Sequence, residues 1–144
     1  MAKATVRWDG KMAFRGETES GHFLTMDARE SVGGENRGPR PGEVVLLALG
    51  GCTGMDVVSI LGKMRIDFDE FWIELEGRQA SDHPKIYTGI RLVYKITGQN
   101  IPPDKFKRAV ELSQEKYCVV SNMLNKASAV TYELEINGER VRVG

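Results

Sequence analysis

The two cysteines of the sequence, Cys52 and Cys118, are the residues whose type points most directly to chemistry. Two cysteines are too few to staple a secreted scaffold, so they are buried fillers, metal ligands or a redox couple. Cys52 lies in the stretch 49–56, where three glycines surround it. Glycine costs about 1 kcal/mol relative to alanine inside a helix. The pattern therefore indicates that another helix or a ligand approaches this backbone closely.

Asp56 bears on the reactivity of Cys52, because one helical turn separates them and they share a helix face. An ionised carboxylate there disfavours the thiolate that a reactive cysteine needs. We therefore expect a partner that neutralises Asp56, or a cation near Cys52 that outweighs it. The candidate cations are Arg15, Arg29, Arg37 and Arg40. The alternative is tight packing around an inert cysteine, since free cysteine behaves as a small hydrophobe.

Cys118 lies between Tyr117 and an apolar Val119-Val120 pair. If a helix begins near this position, the positive end of its dipole lowers the pKa of the thiol, with assistance from Lys116. A core cysteine between Tyr117 and Val120 is the alternative. A metal site would draw on Cys52, Cys118, His22 and His83, but no two of them have the close spacing of zinc sites. We expect neither a metal nor a cofactor.

The overall composition limits the classes of partner. The chain has 144 residues and is 41% hydrophobic, which predicts a single domain over residues 1–144. Lys and Arg total 20 and Asp and Glu total 20, so the sequence is not that of a general binder of nucleic acid or anionic membranes. The first residues lack the apolar core of a signal peptide, which predicts a cytoplasmic protein.

The elements that must position the cysteines follow from hydrophobic periodicity. The pattern predicts an α+β fold rather than alternating βαβ units. It indicates a three-stranded meander over residues 4–26, a polar loop at 28–42, a long helix at 43–64, a hairpin of strands 71–77 and 86–97, a helix from Pro103, a short helix near 120–127 and strand material at 129–143 with a turn at Asn137-Gly138.

The long helix is apolar around nearly its whole circumference. We predict a buried core helix rather than a membrane span, because it contains glycines, Thr53, Asp56 and Ser59 and no second apolar stretch accompanies it. One small domain has difficulty surrounding such a helix alone, so we expect a partner chain to complete the core.

The order of these features resembles the family of osmotically induced protein C and organic hydroperoxide resistance proteins (OsmC/Ohr). The resemblance rests on Pro41 and the residues up to Leu46, followed by Gly51-Cys52, and on the run from Tyr117 through Cys118 to Ser121. It covers nearly the whole chain. It implies an OsmC-like fold, in which antiparallel sheets wrap around long central helices in an intertwined homodimer.

The resemblance also implies a mechanism. Cys52 would attack an organic hydroperoxide and become a sulfenic acid, Cys118 would convert that to a disulfide, and an external dithiol would restore both thiols. Well-characterised members carry a glutamate directly after the proline, paired with an activating arginine; here that position is Gly42, with Glu43 next to it. Val119 replaces the usual proline after the second cysteine. A non-catalytic protein that binds a small ligand at the dimer interface, and a thiol-dependent transfer reaction, are the alternative functions.

Overall fold

The computed structural model describes residues 1–142, which form two compact units that divide after Val45. Each unit is described by itself. The prediction that the chain is a single domain stays a prediction, and Val143, the end of the predicted last strand, lies outside the described residues.

The first unit is built on the predicted three-stranded meander. Its strands β1 (Ala4–Trp8), β2 (Phe14–Thr18) and β3 (Phe23–Met26) pair antiparallel in the order β1-β2-β3. Gly10 has a positive φ of 91° in the first turn, a conformation that favours glycine. Most apolar side chains of this sheet are exposed, including Val6, Trp8 and Phe23. The sheet therefore has little core of its own within the unit.

The polar loop that follows β3 is organised by one buried carboxylate. Asp27 accepts hydrogen bonds from the backbone N–H groups of Ala28 (2.7 Å), Arg37 (3.1 Å) and Glu35 (3.2 Å). Burial by itself would raise the pKa of Asp27, but these three backbone hydrogen bonds outweigh it and lower the pKa. The loop thus folds around an anion, with a 3₁₀ turn at Glu30–Val32.

The long helix α1 (Pro41–Lys63) begins in the first unit and continues into the second. The other elements of the second unit are β4 (Glu70–Gln79), β5 (Tyr87–Thr97), α2 (Pro103–Leu112), a π-helical turn (Ser113–Tyr117), α3 (Val119–Leu124), β6 (Ala129–Ile136) and β7 (Glu139–Val141). The predicted elements are thus present, and the order of strands in this sheet is β4-β5-β6-β7.

The α+β fold class is confirmed, with one correction to the expectation of antiparallel sheets. The β4/β5 and β6/β7 pairs are antiparallel, but β5 and β6 run parallel in a register that joins Ile90 to Val130. The cause is the helical segment between them, which carries the chain back to the end of the sheet where β5 began. Cys118 lies in that crossover connection.

The core of the second unit lies on one face of this sheet. Ile90, Leu92, Tyr94 and Ile96 alternate inward along β5 and are almost completely buried. They pack in one cluster with α1 and with Phe106 of α2. Truncating such a buried aromatic typically costs about 3–5 kcal/mol. The opposite face is polar, where Arg91 and Lys95 form ion pairs with glutamates of β4 and β6.

One stripe of α1 is buried, and its other faces are not. The stripe is Leu49, Thr53, Val57 and Leu61, a four-residue spacing that sets one helix face on the core. Leu47, Met55 and Val58 are 63%, 76% and 45% exposed. Helix α1 is also long and apolar enough to cross a membrane. This is weak evidence for a membrane span, because the core helix of a soluble protein has the same length and composition. A single chain therefore leaves several faces of the helix exposed. The apolar sequence of these faces indicates that they should be covered.

Candidate active site formed by two thiols

The structure brings the two cysteines together within one chain. Both are free thiols, and Cys52 lies close enough to Cys118 for its side chain to raise the pKa of Cys118. Their burial differs, because Cys52 is half-buried while Cys118 has no exposed surface. The pair therefore combines one thiol that solvent can reach with one that it cannot.

Cys118 is positioned by an irregular piece of helix. Helix α2 ends at Leu112, and the π-helical turn that follows lets the Cys118 N–H donate to the Ser113 carbonyl oxygen at 2.8 Å. Cys118 is then extended (φ −75°, ψ 105°) and caps α3, with its sulfur accepting from the Ser121 N–H at 3.3 Å. Asn122 Nδ2 donates to the Cys118 carbonyl at 2.8 Å. A π turn often marks a functional site, and this one fixes the Cys118 backbone on both sides.

The expectation that the pKa of Cys118 is lowered is wrong, although a helix does begin directly after it. Burial raises the pKa, the neighbouring Cys52 side chain raises it further, and the Ser121 N–H only partly opposes them. The result is a pKa of about 12. Desolvation of a completely buried thiol exceeds what one amide of a six-residue helix returns. Cys118 is therefore a neutral thiol at ordinary pH.

The glycines around Cys52 account for close packing against β4. A Cβ at Gly50 would lie 3.0 Å from Leu75 Cδ1, and one at Gly54 would lie 3.5 Å from Ile73 Cδ1. A Cβ at Gly51 would meet nothing within 4 Å. The close approach that the sequence predicts thus comes from strand side chains at two of the three glycines.

An open apolar groove of about 660 Å³ runs between α1 and β4. Its walls include Leu47, Met55, Val58, Trp72 and Leu75. Cys52 does not line this groove, because it lies on another face of the helix. The apolar groove is therefore not a cavity around Cys52.

A second opening lies on the side of α1 that carries Asp56. This polar cleft, about 440 Å³, is lined by Asp56, Ser59, Ile60, Lys63, Leu112 and Tyr117. Asp56 shares a helix face with Cys52, and its charge helps to raise the pKa of Cys118. The polar cleft thus lies on the side of α1 that also bears Cys52, although neither thiol lines it.

The hydrogen-bond partner of Asp56 is a hydroxyl, which stabilises the carboxylate without cancelling its charge. Whether a cation offsets that charge near Cys52 stays a prediction. Ser113 Oγ donates to Asp56 Oδ2 at 2.9 Å. Ser113 also bonds to Thr53, and Thr53 bonds to Tyr94, each at 2.7 Å. Sequence reasoning missed Ser113, Thr53 and Tyr94 as site residues. The available signal was a polar side chain at a helix or strand position whose neighbours on the same face are apolar.

The candidate activating residues all lie in the first unit, where most have local partners. Arg37 donates to Asp9 Oδ2 at 2.7 Å, the Arg15 guanidinium lies 4.0 Å from the Phe23 ring centre, and Arg40 Nη1 donates to Asn36 Oδ1 at 2.5 Å. Arg29 precedes the 3₁₀ turn.

Glu43 accepts from the Arg40 N–H at 2.9 Å, as a capping glutamate does in the first turn of a helix. Whether Glu43 or any of these arginines activates Cys52 stays a prediction. Among residues 1–142, no group of three or more His, Cys, Asp or Glu side chains is arranged to hold a metal ion.

Comparison with known proteins identifies the family. The family model described as OsmC-like protein matches residues 33–133. Protein YhfA of Escherichia coli K12 is 39% identical over 134 residues, which cover 93% of this chain and 97% of YhfA. This chain belongs to the OsmC family. Solved structures with the same fold include proteins named as organic hydroperoxide resistance proteins.

Two solved structures show how widely the fold is shared. A hypothetical protein from Aquifex aeolicus has 29% identity and a TM-score of 0.79, covering 95% of this chain and 98% of its own. The organic hydroperoxide resistance protein OhrB of Bacillus subtilis has 18% identity and a TM-score of 0.65, covering 94% of this chain and 98% of its own. At that identity the likeness to OhrB shows the fold alone.

Proposed function

We propose that this protein is a cysteine-dependent peroxidase that reduces organic hydroperoxides, with Cys52 as the attacking thiol and Cys118 as the resolving thiol. The observation that carries the proposal is the closeness of the two thiols, since Cys52 lies near enough to Cys118 to raise its pKa. Thiols that already lie close together need little movement of the chain to form a disulfide.

The reaction has three steps. The Cys52 thiolate attacks the distal oxygen of the hydroperoxide, the O–O bond breaks, and the alkoxide leaves as an alcohol after taking a proton. The Cys118 thiol then attacks the sulfur of the Cys52 sulfenic acid, and the thiol proton leaves with the hydroxide as water. An external dithiol reduces the disulfide and is itself oxidised to a disulfide.

The roles of the two thiols follow from their exposure. Cys52 is half-buried and so offers the peroxide an approach, whereas Cys118 is sealed and its pKa is about 12. A neutral, enclosed thiol is a poor first nucleophile, but it needs to meet only the oxidised sulfur beside it.

The class of substrate is inferred from the surroundings of Cys52. Cys52 packs against the apolar core of the second unit, together with Leu46 and Val120. An alkyl or aryl group on the peroxide would gain contact there that hydrogen peroxide cannot make. The name of the organic hydroperoxide resistance protein OhrB, which shares the fold, agrees with organic hydroperoxides as the substrate class.

A homodimer is part of the proposal. The exposed apolar side chains Leu47, Met55 and Val58 line the apolar groove along α1. Such surfaces on small proteins mark interaction sites, and a helix carrying the same surface in a second copy would pair with it by two-fold symmetry. Met55→Glu should convert a dimer to monomer in light scattering, whereas Lys105→Glu on exposed α2 should not.

The decisive test counts thiols. Reduced protein should lose both thiols per chain when mixed with cumene hydroperoxide, and Cys52→Ser should lose none. Cys118→Ser should lose one and hold a sulfenic acid that dimedone traps. Wild-type protein that keeps both thiols under this challenge would refute peroxidase function.

A cytoplasmic location and a dithiol reductant belong to the same proposal, and the free thiols agree with a reducing compartment.

The apolar groove favours binding of a small ligand without turnover as the second candidate function. Its volume of about 660 Å³ falls within the range of small-molecule sites. A fluorescent apolar probe should then bind with a stoichiometry that Leu47→Glu abolishes while Cys52→Ser leaves it unchanged. Thiol loss in the peroxide challenge together with absent probe binding would exclude this candidate.

A further inference from the structure

A chain of polar side chains runs through the second unit beside the thiol pair. From one end to the other it consists of Asp56, Ser113, Thr53, Tyr94, Gln114 and Ser121. Ser113 bonds to Asp56 at 2.9 Å, the next two links measure 2.7 Å, and the last two, at either end of the Gln114 amide, measure 2.5 Å. Thr53, Tyr94 and Ser113 have no exposed surface, and Ser121 has 2%.

The direction of the chain is fixed because each hydroxyl has one proton. Ser113 donates its proton to Asp56, so in the next link Thr53 must donate to Ser113. The Thr53 proton is then used, so Tyr94 must donate to Thr53. Burial raises the pKa of Tyr94 to about 12, so its hydroxyl keeps the proton that it donates.

The amide of Gln114 completes the same direction. Its Nε2 donates to Tyr94 Oη, and its Oε1 accepts from Ser121 Oγ. Every donor from Ser121 to Ser113 thus points towards the carboxylate of Asp56. Hydrogen bonds aligned in one direction strengthen one another, and a chain of this kind holds its members in a single arrangement.

Three members of the chain flank Cys118 in the sequence. Ser113 supplies the carbonyl to which the Cys118 N–H donates at 2.8 Å, and the Ser121 N–H donates to the Cys118 sulfur at 3.3 Å. Gln114 lies within the π-helical turn that ends at Cys118. The other three members are anchored elsewhere, since Thr53 is the neighbour of Cys52 on α1, Asp56 is one turn further on, and Tyr94 is on β5.

The arrangement therefore ties the segment that bears one thiol to the helix that bears the other. None of the six side chains needs to be polar for packing, because apolar side chains of similar shape would fill the same space. We propose that Thr53, Tyr94, Ser113, Gln114 and Ser121 are positioning residues, which hold the Cys118 sulfur in line with Cys52 for the step that forms the disulfide. This inference rests on the proposed function in assigning that step to the resolving thiol.

The chemistry of the step allows it to be measured without a peroxide. A Cys52 thiolate that attacks Ellman's disulfide releases one thionitrobenzoate and retains the other as a mixed disulfide. The Cys118 thiol then attacks the Cys52 sulfur, forms the Cys52–Cys118 disulfide, and releases the second thionitrobenzoate and its own proton. The first release reports attack by Cys52 and the second reports the position of Cys118; Cys118→Ser should give the first release alone.

The test uses matched substitutions in the whole protein. Thr53→Val keeps the shape of the side chain and removes its hydroxyl, whereas Thr53→Ser keeps the hydroxyl. Thr131→Val makes the same change at an exposed position of β6 that does not belong to the row of hydrogen-bonded side chains. We expect Thr53→Val to slow the second release by at least about tenfold while the first changes less than threefold, since small displacements of reacting groups have effects of this order. Thr53→Ser and Thr131→Val should follow the wild type.

A second variant keeps the inference testable if Thr53→Val does not fold. Tyr94→Phe removes one oxygen and should give the same selective loss, with thermal unfolding measured to show that it is folded. Equal second-release rates in folded Thr53→Val or Tyr94→Phe would overturn the inference, as would equal slowing of both releases. If the wild type does not react with peroxide, but Thr53→Val and Tyr94→Phe selectively slow the second release, peroxidase function would be refuted and the positioning role supported.

Discussion

The two segments that carry the cysteines differ in backbone regularity and in burial. Cys52 lies in the middle of a regular helix of 23 residues, beside glycines, and is half-buried. Cys118 lies at a break between a π turn and a short helix, is completely buried, and has hydrogen bonds to its N–H, its carbonyl and its sulfur. The same side chain is thus accessible in one place and confined in the other. The comparison teaches that backbone geometry and burial, rather than residue type, distinguish the two thiols, and this difference underlies the proposed order of reaction.

The largest expected effect comes from removing the accessible thiol. Cys52→Ser should lower peroxide consumption by at least about 1000-fold, because a hydroxyl without an activating base does not replace a nucleophilic thiolate. Coupled reduction of cumene hydroperoxide by a dithiol measures this effect. Substantial activity in Cys52→Ser would show that the confined thiol reacts first, and the comparison would be wrong.

Removing the confined thiol should have a smaller effect. Cys118→Ser should leave the first turnover nearly unchanged and lower the steady-state rate by about 10- to 100-fold, because the sulfenic acid then waits for an external thiol. Stopped-flow measurement of the first turnover beside the coupled assay separates the two rates. If Cys118→Ser lowered both rates equally, Cys118 would not be a resolving thiol.

The pH dependence of disulfide formation sharpens the comparison further. Burial is the largest cause that raises the pKa of Cys118, and it persists when Cys52 carries the mixed disulfide. The thiolate fraction of Cys118 rises about tenfold for each pH unit below that raised pKa. The release of the second thionitrobenzoate should therefore accelerate by up to about 100-fold between pH 7 and pH 9, without a plateau. A plateau near neutral pH would mean that the thiol ionises far more easily than its burial implies.

The smallest expected effect concerns stability around the accessible thiol. In the monomeric Met55→Glu background, Gly51→Ala should stabilise the protein by roughly 0.5–1 kcal/mol, because the new methyl group meets nothing within the chain and the unfolded chain loses freedom. Gly50→Ala should gain less, because Leu75 must move away from a Cβ at 3.0 Å. Urea unfolding of the two variants gives the comparison. A larger gain at Gly50, or a loss at Gly51, would contradict this account of the packing.

Much of the fold was predictable from the sequence, because periodicity and turn residues are local signals. The alternation along β5 and the Pro103 start of α2 both correspond to observed elements. The parallel pairing of β5 with β6 was not predictable in this way, since strand direction depends on the path of the connection rather than on the strand residues. The exposed faces of α1 show the same limit, because apolar content does not reveal which face a single chain covers.

The candidate site was predictable in part. The two thiols were named from residue type, and their proximity was expected from the family resemblance. The polar chain from Asp56 to Ser121 was not foreseen, because its members come from α1, β5 and the segment around Cys118 and share no sequence spacing. The pKa of Cys118 was misjudged for a related reason, since sequence shows the start of a helix but not the depth at which it is buried.

Because the Ser121 N–H donates a hydrogen bond to the Cys118 sulfur, its proton should report whether the two cysteines are reduced or joined in a disulfide. Joining that sulfur to Cys52 changes the electron density that the proton senses, so its nuclear magnetic resonance should move to a new frequency on oxidation. Resonances of the outer strands should stay where they are. A single amide peak would then record, in solution and without a label, how much of the protein is reduced at any moment.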